Sequence, residues 1–91
     1  LMSRIDEVWE NKVVIIDCQN IKTMDISAVF ALEDLILTLK SKKIKTVIIF
    51  NNRKLAATVL KLGVRRLISK DSVAFDENEA RQNAINLISL E

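Results

Sequence analysis

Asp25 and Ser27 stand at the front of the stretch MDISAVFALEDL, a carboxylate and a hydroxyl at the mouth of an otherwise apolar segment. A carboxylate in that position accepts from the first free N–H groups of a helix, and losing such a cap costs about 0.5–2 kcal/mol. Ser27 falls in the first turn and projects from the polar side, which makes it a candidate for phosphorylation. A phosphate near a helix N-terminus gains from free N–H groups and the helix dipole, so adding one need not unfold the chain. Asp25 and Asp34 oppose this by like-charge repulsion. Capping and plain solvent contact are the competing accounts of the pair.

A second polar group is Asn51, Asn52, Arg53 and Lys54. Free N–H groups at a helix start with two cations beside them form a candidate site for an anion or nucleotide. Ordinary capping by either Asn competes with that reading, because no Gly-rich phosphate cradle accompanies it. Asp17 ends an apolar run and reads as a strand-end residue. Cys18 beside it reads as a small buried filler with no base to activate it. The chain has no His, no metal-ligand spacing and no phosphate loop, so no catalytic residue, metal or cofactor is assigned.

The elements that must position these residues alternate in type. LMSRIDEVWEN carries Met2, Ile5, Val8 and Trp9 at helical spacing, which predicts a helix. VVIID (13–17) and TVIIF (46–50) are β-branched apolar runs, the mark of strands covered on both faces. Between them ISAVFALEDLILTLKS reads as a long helix with Ala28, Val29, Leu32, Leu35, Ile36 and Leu39 on its core face. A short helix follows Asn51 or Asn52 and ends at Gly63, with Val64 placed to fold back on Val59. Residues 65–69 are expected as a third strand. The last helix is expected to start at Asp76, in a capping box with Glu79 behind Phe75, and to bury Ala80, Ala84, Ile85 and Ile88. The fold class is therefore α/β, a small and mostly parallel sheet with helices. The chain reads as starting late, as though a leading strand were absent or supplied by another chain. The sheet edge beside the first strand is then bare.

On the helical wheel Ser27, Asp34, Thr38 and Ser41 form an exposed stripe, and Phe30 and Leu37 lie beside it, outside the core face. Asp25, Ser27, Phe30, Asp34 and Leu37 are accordingly the expected partner-docking residues. Burial of Phe30 and Leu37 under an N-terminal segment is the alternative.

Composition bounds the rest. Ninety-one residues make one domain, and 49% hydrophobic content is enough for a core. One cysteine can make no internal disulfide, so a reducing compartment is expected. No apolar run reaches the roughly 18 residues of a membrane span, and no signal-peptide pattern is present. Net charge is only +2, but residues 35–70 carry ten basic and no acidic side chains between two acidic flanks. The basic block 40–70 can meet anionic lipid or an acidic partner. Nucleic acid is not expected, because no aromatic residues interleave the cations.

The order VVIIDCQNIKTMDISAVFALEDLILTLKSKKIKTVIIFNNRKLAATVLKLGV resembles the STAS domain family over residues 13–90. That family comprises anti-sigma factor antagonists and the cytoplasmic tails of sulfate-permease-type anion transporters. Asp25 and Ser27 match its pattern; Ile26 replaces a usual hydroxyl residue and Ala28 a usual Gly. VVIID is also similar to the phosphoacceptor strand of receiver domains, but the acidic pair and the Lys–Pro that those carry are missing. The resemblance implies a non-catalytic regulatory domain, residues 1–91 forming one STAS-like unit that is a fragment or lacks its leading strand. ALEDLI is closer to the transporter tails, which implies a cytoplasmic domain attached to an inner-membrane transporter and contacting its membrane part. The alternative is a free-standing antagonist switched by an anti-sigma kinase at Ser27. A homodimer is compatible with either.

Overall fold

The computed structural model describes residues 2–4 and 13–89. Four strands form one sheet in the order β1-β2-β3-β4: β1 is Met2–Arg4, β2 Val13–Cys18, β3 Lys45–Phe50 and β4 Val73–Ala74. β2, β3 and β4 run parallel, with Ile15 level with Val47 and Ile48 level with Val73. The helices are α1 (Ile26–Ser41), α2 (Arg53–Lys61) and α3 (Glu77–Ser89). The expected α/β fold with a mostly parallel sheet is what the chain adopts.

The unbroken apolar runs are explained by two cores, one on each face of the sheet. Val14, Ile16, Cys18, Ile48 and Phe50 point to the face covered by α1 and α2. Their neighbours Val13, Ile15, Val47 and Ile49 point to α3, against Ala80, Ala84 and Leu87. Period-two alternation therefore places consecutive apolar residues in both central strands, Val13–Ile16 and Val47–Phe50. Each fully buried Val, Ile, Leu or Phe side chain contributes about 1.5–3 kcal/mol relative to exposure.

Three expectations are corrected. Met2–Arg4 is a strand, antiparallel to β2 with Met2 opposite Asp17, so the β2 edge is paired and a leading strand is present. The rest of the helix expected there, with Ile5, Val8 and Trp9, lies outside the described residues. Residues 65–69 are no strand: Val64–Leu67 is a 3-10 turn, a second such turn covers Lys70–Ser72, and the last strand is the two-residue β4. In α3 the third buried side chain is Leu87, and Ile85 is 43% exposed. Positions 80, 84 and 87 follow the i, i+4, i+7 rule, whereas 85 lies well round the helix.

Helix ends obey the local chemistry. Asp25, Asn52 and Asp76 accept from the N–H groups of Ala28, Leu55 and Glu79 at 2.8, 2.8 and 2.7 Å. Glu79 reaches back as a capping box requires, but accepts from the N–H of Phe75, one residue ahead of the cap, at 2.8 Å. α1 closes with Lys43 in the left-handed region (φ 62°), its N–H donating to Lys40 O and that of Ile44 to Leu39 O. This is the paired 5→2 and 6→1 closure of a Schellman motif, made here without a glycine.

Candidate interaction face

At the carboxyl edge of the sheet, the loops leaving β2 and β3 deliver the starts of α1 and α2 side by side. β2 runs one residue past Asp17, to Cys18, and the Asp17 Oδ1 accepts from the backbone and side-chain N–H of Gln19 at 3.0 and 3.2 Å, closing a tight turn. Asn51 Nδ2 donates to Gln19 O at 2.6 Å, tying the two loops together.

The Asp25 carboxylate is engaged as the cap of α1, and Ser27 lies exposed in the first turn. Asp34, Thr38 and Ser41 are exposed with it, while Val29, Leu32 and Ile36 go fully into the core. Phe30 and Leu37 are 54% and 45% exposed, and Ile26 is 56% exposed. At about 100° per residue, Ile26, Phe30 and Leu37 fall within an arc of roughly 40°. They form an apolar strip along α1 from Ile26 to Leu37, interrupted between Phe30 and Leu37 by Glu33, with Ser27 and Asp34 on its flank. Ile26 escapes a reading of the sequence that treats it only as a departure from a hydroxyl position. The signal was its spacing of four from Phe30 and eleven from Leu37.

The helix is also anchored. Glu33, only 8% exposed, accepts from Arg66 Nη2 at 2.9 Å and fastens α1 to the 3-10 turn. Lys40 Nζ donates to Leu67 O at 3.3 Å and Lys45 Nζ to Leu87 O at 3.0 Å, so two cations of the basic block close backbone ends. Lys42, Lys43, Lys54, Lys61, Arg65 and Lys70 of that block are exposed.

The Asn51–Lys54 group is divided by the fold. Asn52 caps α2, and Asn51 accepts from Asn52 Nδ2 at 3.0 Å. Lys54 shares a cavity of about 370 Å³ with Lys22 and Asn52. Arg53 turns to the opposite side and stacks on Phe75, its Cζ 4.4 Å from the ring centre. Cys18 is fully buried, and burial, with Asp17 beside it, pushes its thiol up to about 11. At neutral pH it stays a thiol, which is a poor nucleophile. Among the described residues, no group of three or more His, Cys, Asp or Glu is placed to hold a metal ion. No described helix is long and apolar enough to cross a membrane.

The unit is a three-layer α/β domain that exposes three large apolar side chains along one helix, the kind of feature that marks an interaction site. The family is settled by sequence: the STAS domain model matches residues 1–80, and the chain belongs to the STAS domain family. Members of that family are generally regulatory, non-catalytic domains that mediate protein–protein interactions. No curated protein and no solved structure matches the chain significantly.

Proposed function

We propose that the chain is the cytosolic regulatory domain of a sulfate-permease-type anion transporter, acting by protein–protein contact through the exposed face of α1. The observation that carries this reading is the strip of Ile26, Phe30 and Leu37 beside Asp25, Ser27 and Asp34. Three large apolar side chains aligned on one helix lose water on binding a partner, and the polar flank sets the register. The similarity of ALEDLI to transporter tails favours that branch, as does an apolar Ile26 where a hydroxyl residue is usual. The partner is then the membrane part of the same transporter. The exposed lysines and arginines of residues 40–70 supply positive charge for anionic headgroups at the membrane surface. A homodimer through the strip is the other contact of this chemistry.

The test is co-purification with the membrane segment encoded upstream of residue 1. Wild type is retained and Phe30→Asp/Leu37→Asp is lost. Upstream sequence without hydrophobic spans ends the transporter reading.

A second reading, a free-standing antagonist, draws on the exposure of Ser27 at a helix start where free N–H groups favour a phosphate. Incubation with an adjacently encoded anti-sigma kinase, followed by mass spectrometry, is its test. An unmodified Ser27 removes it.

A further inference from the structure

Where α2, the first 3-10 turn and β4 meet, the larger core is incompletely covered. Leu60, Ile68, Val73 and Phe75 are only partly buried there, and they floor a trough of about 470 Å³. That size is within the range of small-molecule sites. The rim is cationic: Arg53, Arg65 and Lys70 line it, and no acidic side chain does. Arg53 is held by its stacking on Phe75. Arg65 and Lys70 have no ion-pair partner among the described residues. No acidic side chain of the lining balances these three cations, and an anion seated among them does so.

We propose that this trough binds a small amphipathic carboxylate, with its acyl body on the apolar floor and its head among Arg53, Arg65 and Lys70. The head is a carboxylate because two of the three cations are arginines, whose planar forks match carboxylate oxygens in pairs. The body is apolar because Ser69 is the one neutral polar side chain in the lining. A nucleobase or sugar would leave its polar edges unpaired against such a floor, at a cost for each group. An inorganic anion would use only the rim and leave the floor wet. The trough lies on elements other than the exposed face of α1, so the proposal does not rest on the transporter reading.

The experiment is titration of the 91-residue chain with decanoate below its micelle concentration, followed by calorimetry and amide NMR. The expected result is saturable one-to-one binding, with shifts confined to α2, the 3-10 turns and β4. Acetate shares only the head and decyltrimethylammonium only the body; each binds at least roughly tenfold more weakly. Arg65→Gln and Lys70→Gln each weaken decanoate by about tenfold, the loss of one charge-assisted contact. Their circular dichroism stays unchanged, as both side chains are exposed. Ala57→Phe, at an exposed alanine of the lining, puts a ring into the trough without altering charge and abolishes binding. The proposal is overturned if acetate or decyltrimethylammonium matches decanoate, or if the variants bind like wild type. It is equally overturned if anionic vesicles bind while free decanoate does not, because the cations then form a flat membrane contact and not a pocket.

Discussion

The carboxylate of Glu33 lies directly against Gly63: a Cβ added to that glycine would sit 3.0 Å from Glu33 Oε1. The same glycine has φ 141°, a conformation that side chains resist. Its neighbour by three residues, Arg66, grips the other carboxylate oxygen. One acidic side chain on α1 thus packs against the turn after α2 at Gly63 and is tied to it at Arg66. Gly63→Ala is expected to lower stability by about 1–3 kcal/mol in urea unfolding. Glu33→Ala in the same background separates the causes. Costs that simply add assign the loss to backbone conformation, whereas a coupling above about 0.5 kcal/mol assigns part of it to the carboxylate.

Phe30→Ala with Leu37→Ala leaves the melting temperature almost unchanged, since exposed positions usually shift stability by no more than about 0.5 kcal/mol each. Partner binding falls markedly in the same variant. A large loss of stability would mean that these side chains are covered by part of the chain, contrary to their exposure.

Lys43→Gly is expected to stabilise the protein by up to about 1 kcal/mol. It relieves a left-handed residue at the end of α1, less the greater freedom that glycine has when unfolded. Thermal melts of the two proteins decide it; a lower midpoint for the glycine variant would mean that the lysine side chain contributes more than the strain costs.

Asp25→Ala removes the α1 cap and is expected to cost about 0.5–2 kcal/mol. Asp25→Asn, which can still accept from the N–H of Ala28, restores most of it. Failure of Asn to rescue would point to the charge and not the cap.

Cys18 resists alkylation in the folded protein and reacts once denaturant is added. Its buried thiol is pushed up to about 11 from an ordinary 9.0, so the folded state holds its proton longer than the unfolded chain. The stabilising contribution is complete below pH 9 and is lost as pH rises towards 11. Cys18→Ala is expected to flatten that part of the pH–stability curve, measured by urea unfolding at each pH. An unaltered slope would assign it to other groups.

Several parts of this protein were legible from residue types and spacing because their causes are local. Asp25, Asn52 and Asp76 cap helices through bonds to amides three residues on. The β-branched runs 13–17 and 46–50 are strands, and one arc of α1 is buried, because apolar periodicity leaves few other ways to exclude water. The exposure of Phe30 and Leu37 follows from the same wheel. Tertiary structure decided what depends on distant partners. Met2–Arg4 is a strand because β2 offers an edge eleven or more residues away, and that pairing overrides a local pattern that reads as helix. Residues 65–69 are expected from the sequence as a strand, but 65–67 belong to the 3-10 turn Val64–Leu67, where Glu33 holds Arg66 from 33 positions upstream. Arg53 and Lys54 are neighbours in sequence, yet one-residue steps round a helix send them to opposite sides of α2. The trough beneath Arg53, Arg65 and Lys70 exists only because separate segments meet, so no stretch of sequence displays it.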